Sequence, residues 1–311
     1  MGLDVNGTQC VLYAKTLGVD FARTATIGRQ GLHLRSSVFR DNLVKFGFSF
    51  SEAIIDRIFA KNNGYADEFF RSLGAKEVHS FDNSNYEGAT YVHDLNNEIP
   101  GQHKNQYSVV LDGGSLEHIF NFPQAIKNCM EMAQVGGHFL GITPANKFVG
   151  HGFYQFSPEL FYSIFTPENG YEMVQLIAFE NDPDAEWFSV KSPISVRRRV
   201  VLANSKPVYL LVIAQRVEMV EPFRSMPQQS DYVPLWNSGV GESLPASPSA
   251  PVTQQDKDMA KRTPLSMLNR TIPKPVKRII MRMLGKQPQP QVNPVFNPAF
   301  FQPVRVCPKI T

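Results

Sequence analysis

Cysteine is scarce in this sequence, and long apolar runs are missing. Its 311 residues include three cysteines, Cys10, Cys129 and Cys307, which are far apart and form no Cys-x-x-Cys pair. This pattern predicts a reducing compartment, with no disulfide framework and no metal site. No apolar stretch approaches the roughly 20 residues that span a bilayer. The N-terminus also lacks a basic start followed by an apolar run, so we expect a cytoplasmic protein without a secretory signal.

An excess of charge of one sign is missing as well. The 31 basic and 28 acidic side chains leave a formal net charge of +3. Nucleic-acid binding usually needs basic residues concentrated on one face, so we expect no nucleic-acid partner. The absence of a Gly-x-Gly-x-x-Gly fingerprint speaks against a nicotinamide-dependent enzyme. A small-molecule substrate is the remaining expectation.

Strand and helix patterns alternate over the first two thirds of the chain. Such alternation predicts an α/β fold with a doubly wound, mostly parallel sheet. We predict strands at 24–27, 77–82, 90–93, 109–111, before 143–144, at 171–180 and at 208–215. We predict helices at 9–17, from Ser51, at 66–73 and from Ser157 to Phe165, with Ser157 as N-cap and Pro158 in the first turn.

Beyond Glu221 the composition changes to proline, serine and glutamine, which is typical of a flexible segment. We predict three regions: an α/β domain over 1–221 with a helical insertion at 36–65, a linker over 222–263 and a Pro-rich tail over 264–311. Within the tail, 274–286 has an apolar stripe flanked by basic side chains. It predicts an amphipathic helix that docks on the domain, lies on the inner membrane surface or pairs with a protein.

The stretch 107–144 carries the most information about function. An apolar run stops at Asp112-Gly113-Gly114, and Leu116-Glu117-His118, a helical segment, a Gly136-Gly137 turn and a second apolar run follow. This order predicts a parallel βαβ unit whose polar groups lie at the carboxyl end of a strand, where ligand crevices form. The two glycines indicate positive φ angles or a close approach of the main chain to a ligand.

This stretch resembles the fourth and fifth strands of class I S-adenosylmethionine-dependent methyltransferases, where a Leu-Glu-His triplet follows strand four and a Gly-Gly turn leads into strand five. The resemblance extends from about Thr24 to Gln215. It is greatest to methyltransferase-like proteins of bacterial sugar and polysaccharide gene sets. It implies a Rossmann-like fold with a late antiparallel strand, S-adenosylmethionine as cofactor, and methyl transfer to oxygen or nitrogen of a small or sugar-like acceptor.

One motif of that family has no match. Members usually carry acid-x-Gly-x-Gly after strand one, whereas the nearest segment here is Ile27-Gly28-Arg29-Gln30-Gly31, which no acid precedes. The segment 36–65 is then an insertion over the cleft, and a turn at 83–88 replaces the usual helix. This departure leaves a second hypothesis open. The chain would then be a non-catalytic methyltransferase-fold protein that binds partners through the basic helix 274–286.

Acids at the ends of strands two and three are the candidate adenosine contacts. Asp82 either accepts the ribose hydroxyl protons or is a solvated aspartate at a turn. Asp94 resembles the acid of the family's acid-x-x-x-x-hydrophobic-Pro segment, which reaches the adenine amino group; its alternative is a turn-forming cap. The cofactor contacts that the resemblance implies are Gly28, Asp82, Asp94, Leu95, Asp112 and Gly113.

Two histidines are candidate bases for a hydroxyl acceptor. His118 either points into the cleft or braces the helix. His151 begins the loop 151–157, and loops at strand ends often carry substrate contacts. The alternative for this loop is that Phe153 and Phe156 cap the core while the polar groups satisfy the backbone. The predicted substrate contacts are Glu117, Asn146, Tyr154 and Gln155.

Overall fold

A sheet of nine strands organises the part of the chain that the structure describes. The computed structural model describes residues 2–60, 64–196, 199–202, 204–230, 232 and 296–304. The strands are β1 (Gly2–Leu3), β2 (Arg23–Ile27), β3 (Gly31–Leu32), β4 (Glu77–Asp82), β5 (Tyr91–Val92), β6 (Tyr107–Asp112), β7 (Ala133–Asn146), β8 (Tyr171–Glu180), β9 (Trp187–Val190), β10 (Val208–Arg216) and β11 (Phe301–Pro303). Of these, β1 and β3 pair in parallel as a separate ribbon.

The order across the nine-stranded sheet is β11-β9-β8-β10-β7-β6-β2-β4-β5. The strands from β7 to β5 are parallel neighbours, whereas β10 runs antiparallel to both β7 and β8. This confirms the predicted doubly wound α/β sheet with a late antiparallel strand, although β8 to β11 make it more mixed than predicted. The chain order reverses between β2 and β6. In such sheets the ligand crevice lies at that reversal, outside the carboxyl ends of the strands.

Local capping sets where the helices begin. They are α1 (Val5–Thr16), α2 (Ser36–Lys45), α3 (Glu52–Ile58), α4 (Asp67–Ser72), α5 (Phe122–Met132), α6 (Pro158–Ile164) and α7 (Pro193–Val196). The Asp4 carboxylate accepts the N–H of Gly7 at 2.8 Å, so α1 begins before Gln9, its predicted start. Ser157 caps α6 and Pro158 lies in its first turn, as predicted.

The predicted insertion at 36–65 is helical, and it is part of the core. Phe39 of α2 meets Phe69 of α4 edge-on, with ring centroids 5.2 Å apart. Ile55 and Ile58 of α3 are buried in the same cluster. Strand β6, at the centre of the sheet, is buried along its whole length, as expected for a parallel strand that is covered on both faces.

Two connections around the parallel strands test the sequence patterns closely. No helix lies between β4 and β5, which agrees with the predicted turn, and β5 is shorter than the predicted 90–93. The Gly136-Gly137 pair was predicted as a turn, but it lies inside β7. The pairing of β7 with β6 shifts register between Tyr107 and Val109. The glycines therefore mark an irregular strand pairing.

The end of the chain contributes a strand that was not predicted. Phe301 pairs with Val190, so β11 extends the sheet beyond β9. Phe296 stacks on Phe188 with ring centroids 4.1 Å apart. Residues 296–304 were assigned to a separate tail, and the structure instead places them in the α/β domain. Local patterns missed β9 and β11 because each depends on a partner far away in the sequence.

The predicted linker also differs from the structure at its start. Residues 222–230 are described, and the N–H groups of Phe223 and Ser230 donate to Asn169 and Glu159 at 2.9 and 2.8 Å. The predicted helix 274–286 lies outside the described residues. Among those that are described, no helix is both long enough and apolar enough to cross a membrane.

We predict that Phe301→Ala lowers the free energy of unfolding by about 3 kcal/mol, because truncating a buried aromatic removes contacts and leaves a cavity. Phe301 is 2% exposed, whereas Tyr86, the control, is 93% exposed. Chemical denaturation of both alanine variants measures the difference. Equal, small losses would mean that β11 adds nothing to the stability of the sheet.

Candidate active site

Two cavities lie at the carboxyl ends of the parallel strands. The first, here called the β4 cavity, has a volume of about 200 Å³ and lies beside the ends of β2, β4 and β5. The second, the α1 cavity, has a volume of about 160 Å³ and lies between the start of α1, the end of β6 and the start of β10. Each alone is smaller than the roughly 300–1,000 Å³ that small-molecule sites occupy.

The β4 cavity brings together four of the predicted cofactor contacts. Gly28, Asp82, Asp94 and Leu95 all line it. They come from three separate strand ends, which meet because neighbouring parallel strands end at the same edge of a sheet. His93, Asn96, Ser115, His118 and Ile119 complete much of its wall. The predicted convergence of the two strand-end acids on one groove is therefore present.

The two acids of this cavity differ in their hydrogen bonds. Among the described residues, Asp82 accepts one long hydrogen bond, from the N–H of Ser84 at 3.3 Å. Asp94 accepts from the backbone N–H and side-chain amide of Asn96 at 3.0 and 2.7 Å. The backbone N–H and then the amide of Asn96 lower the pKa of Asp94. Asp94 thus has the turn-forming cap that was its alternative, whereas Asp82 retains acceptor capacity toward a ligand.

The α1 cavity includes a part of the chain that sequence reasoning did not connect with the site. Leu3, Asp4 and Gly7, at the start of α1, line it opposite Glu117 and Tyr209. Pairing of β1 with β3 holds this N-terminal segment in place. The capping aspartate was a readable local signal for a helix start. The position of α1 beside the end of β6 and the start of β10 could not be predicted from the sequence, because it depends on tertiary packing.

Asp112, a predicted cofactor contact, lies behind the cavity walls. It is fully buried, and one carboxylate oxygen accepts the N–H groups of Ser115 and Leu116 at 2.9 and 3.2 Å. Burial, followed by the nearby charge of Glu117, raises the pKa of Asp112. The Asp112 carboxylate stabilises the turn after β6. Because it lies behind the cavity walls, it is not placed to contact a cofactor, contrary to the prediction.

Glu117 is the most unusual side chain of the site. It is 1% exposed and lines the α1 cavity. Neither carboxylate oxygen has a hydrogen-bond partner among the described residues, and the Nε2 of His151 lies 3.4 Å from Oε1. Burial raises the pKa of Glu117 to about 7. A buried carboxylate without a donor favours a cationic or proton-donating ligand.

The two predicted bases, His118 and His151, lie together. Their ring centroids are 4.9 Å apart, with His118 lining the β4 cavity and His151 lining the α1 cavity. Burial and then His151 lower the pKa of His118. One ligand atom from each histidine and one from Glu117 all lie within 4.8 Å of one another. These three side chains can hold a divalent cation or share a proton.

A close backbone contact brings His151 to this position. The N–H groups of Phe153 and Tyr154 donate to the carbonyl of Glu117 at 2.7 and 3.3 Å. Gly152, between His151 and Phe153, has a φ of +70°, and a Cβ there would lie 2.7 Å from the same carbonyl. A side chain at this position is excluded both by conformation and by space. The loop after β7 thus depends on a glycine to approach Glu117.

Three predicted substrate contacts lie elsewhere. The Tyr154 hydroxyl donates to the carbonyl of Phe120 at 2.6 Å, and Gln155 accepts the N–H of Phe148 at 2.7 Å. Asn146 donates to Asn204 at 2.8 Å. None of the three lines the β4 or the α1 cavity. Apart from His151, the polar side chains of the 151–157 loop therefore follow the alternative interpretation, in which they satisfy the backbone.

The Gln30 side chain contacts residues that line both cavities. Its side-chain amide donates to the carbonyls of Ile27 and Gly28 at 2.8 and 3.3 Å, while its buried Oε1 has no partner among the described residues. A Cβ on Gly113, which lines the α1 cavity, would collide with that oxygen. The described part of the 36–65 insertion lines neither cavity, so it does not cover the cleft as predicted.

Comparison with known proteins gives similarity of fold at low identity. No protein-family model matches the sequence, and no curated protein matches it. Similar solved structures include a SAM-dependent methyltransferase from Aquifex aeolicus (8% identity, 66% of this chain, 89% of that chain, TM-score 0.34). Another is the 1,6-didemethyltoxoflavin-N1-methyltransferase of Burkholderia thailandensis with S-adenosylhomocysteine bound (10% identity, 69% of this chain, 78% of that chain, TM-score 0.38). A third is the branched-chain polyamine synthase of Thermus thermophilus with 5'-methylthioadenosine (13% identity, 69% of this chain, 58% of that chain, TM-score 0.36).

We predict that Glu117→Gln stabilises the chain increasingly as the pH rises. The folded-state pKa of about 7 exceeds the ordinary value of 4.5, so between these values the folded chain binds more protons and wild type loses stability with rising pH. The variant has no such loss. The free energy of unfolding of Glu117→Gln should exceed that of wild type by about 1–3 kcal/mol at pH 8 and equal it near pH 4.

Chemical denaturation across this pH range, with a metal chelator present, provides the measurement. Glu186→Gln, at an exposed acid outside both cavities, is the matched control and should follow wild type. A Glu117→Gln advantage that does not depend on pH would contradict the assignment of a buried, ionising carboxylate.

Proposed function

We propose that this chain is an S-adenosylmethionine-dependent methyltransferase that acts on oxygen or nitrogen of a small or sugar-like acceptor. One observation carries the proposal. Four side chains or backbone positions that the family resemblance marks as adenosine contacts line a single cavity, and His118 lies in the same wall. Strand ends meet at one edge in any parallel sheet, so the support comes from the residue types found there: two acids, a glycine and an apolar side chain at the positions that the resemblance implies.

The β4 cavity fits the nucleoside part of such a cofactor. Asp82 offers carboxylate oxygens to two ribose hydroxyls, and buried Leu95 offers an apolar surface to a base. Gly28, directly after β2, lines the cavity without a side chain. Oδ1 of Asp94 accepts the backbone N–H and the amide of Asn96, and Oδ2 accepts the amide of Asn97 at 3.2 Å, so Asp94 would act chiefly through Asn96.

The α1 cavity fits the positively charged part. Asp4 and Glu117 line it, and Tyr209 lies between acids whose charges, after burial, raise the pKa of its phenol to about 12. A cavity with acids and few cations attracts a sulfonium or an ammonium group. The cofactor, when bound, supplies a methyl group activated by positively charged sulfur.

The two histidines lie where a proton has to leave the acceptor. A lowered pKa keeps His118 neutral and able to accept a proton near neutral pH. Oε1 of the buried Glu117 lies 3.4 Å from the Nε2 of His151, so this carboxylate can orient that imidazole. Holding the acceptor in line with the methyl group would supply most of the rate acceleration. Removal of the acceptor's proton by one histidine would supply the rest.

We expect Asp82→Asn to weaken binding of S-adenosylhomocysteine by about 100-fold, because two hydrogen bonds from ribose to a charged acceptor are each worth roughly 1.5 kcal/mol. Isothermal titration calorimetry of the full chain measures this loss. Asp56→Asn, an exposed acid on α3, should bind like wild type. If wild type itself gives no binding at millimolar ligand, the proposed function is wrong.

Gln30 provides a second test and favours a second candidate. If a cofactor spans both cavities, we expect it to displace Gln30, at the cost of the hydrogen bonds from its amide to Ile27 and Gly28. If Gln30 stays in place, the β4 cavity would take a nucleoside alone and the chain would not turn over. The chain would then be non-catalytic, as in the second hypothesis, which places partner binding in 274–286.

Gln30→Ala should therefore raise the affinity for S-adenosylhomocysteine about tenfold and leave adenosine, which needs only the β4 cavity, unchanged. Gln134→Ala, on the exposed start of β7, is the control for both ligands. Adenosine binding without S-adenosylhomocysteine binding in either protein would support the non-catalytic candidate. Membrane or protein association through 274–286 stays a prediction.

A further inference from the structure

Glu117, His118 and His151 form a cluster that proton transfer alone does not explain. Two imidazoles face one carboxylate, and the three ligand atoms lie within 4.8 Å of one another. Glu117 is 1% exposed, yet both of its oxygens have no hydrogen-bond donor among the described residues. A single imidazole base needs one carboxylate to orient it and leaves the second histidine without a role.

We propose that Glu117, His118 and His151 bind one divalent first-row transition-metal ion at the boundary between the β4 and α1 cavities. The ion would have two nitrogen ligands, one oxygen ligand and positions open to both cavities. Sites of two histidines and one carboxylate, with an open position, are a known solution for zinc and for iron(II).

The distances suit such an ion with a small adjustment. Nitrogen and oxygen ligands lie about 2.0–2.2 Å from zinc, so two ligands of one ion are roughly 3–4 Å apart. The Nε2 of His151 and Oε1 of Glu117 are already 3.4 Å apart. His118 and His151 are exposed, so rotation of either ring closes the remaining distance.

The surroundings fix the least adjustable ligand. The Glu117 backbone is held by the N–H groups of Phe153 and Tyr154, and its side chain is enclosed. The neighbouring Asp112 is buried as well, with one oxygen unpartnered among the described residues. A divalent cation would offset the charge of these two acids, and buried charges are otherwise strongly unfavourable. Nitrogen ligands favour zinc, iron, cobalt or nickel over magnesium.

The use of the ion, though not its binding, rests on the proposed methyl transfer. An ion at this boundary would hold the oxygen of a hydroxyl acceptor in the α1 cavity and lower its pKa. His118 and His151 would then act as ligands, and the proton would leave to solvent.

Calorimetry of the full chain, stripped with chelator and desalted, tests binding without any cofactor. Zn²⁺ and Mn²⁺ are the probes, and Mg²⁺ is the comparison. We expect one Zn²⁺ or Mn²⁺ per chain, weakened by about 100-fold or more in Glu117→Gln and in His151→Gln. His79→Gln is the matched control: His79 lies 3.6 Å from Glu77 and forms a histidine–glutamate pair without a third ligand.

A pair of glycine variants separates ligand geometry from ligand identity. Gly152→Ala keeps all three ligands but forces the loop away from the Glu117 carbonyl, so it should weaken Zn²⁺ binding about tenfold. Gly150→Ala has nothing within 4 Å of the added Cβ and should bind like wild type. Circular dichroism checks that each variant is folded.

No 1:1 binding of Zn²⁺ or Mn²⁺ to wild type would overturn the site. Binding that Glu117→Gln and His151→Gln leave unchanged would overturn it too, since the ion would then lie elsewhere. Metal binding without S-adenosylhomocysteine binding keeps the site and rejects the methyltransferase. Cofactor binding without metal binding does the reverse, so the two failures are distinguishable.

Discussion

The contact between the Glu117 carbonyl and the loop after β7 is the constraint on which the site depends. Two backbone N–H groups from Phe153 and Tyr154 meet one carbonyl, and Gly152 lets the chains approach to that distance. The contact joins the ends of β6 and β7, and it carries His151 to within reach of Glu117. Without it the boundary between the two cavities would have neither its imidazole pair nor its shape.

A second constraint is the burial of two acids on one short turn. Asp112 is compensated by the backbone amides of Ser115 and Leu116. Glu117 is not compensated by hydrogen bonds within the described chain. Buried carboxylates destabilise a fold unless a donor or a cation meets them, and departures of this kind from self-consistent packing concentrate at functional sites. The geometry of Glu117 is therefore better explained by a ligand than by stability.

Site residues were predicted correctly where their position depends on the end of a strand. They were predicted wrongly where their position depends on the direction of the side chain. Asp82 and Asp94 could be placed in one groove because parallel strands end at a common edge. Tyr154 and Gln155 looked equally functional in the sequence, but they donate to and accept from nearby backbone groups. Loop composition does not reveal which way a side chain turns. Gln30 was not predicted to belong to the site for the same reason, although its side chain contacts residues that line both cavities.

The amino-acid sequence alone determined the chain order of β2, β4, β5, β6 and β7, the late strand at 208–215 and the polar ends of the central strands, since periodicity and caps are local properties. Tertiary structure alone decided that α1 would line the cleft, that 296–304 would add a strand beyond β9, and that His118 and His151 would meet over Glu117. These depend on contacts between segments far apart in the chain. Such contacts are determined by the packing of the whole domain, so local sequence patterns do not predict them.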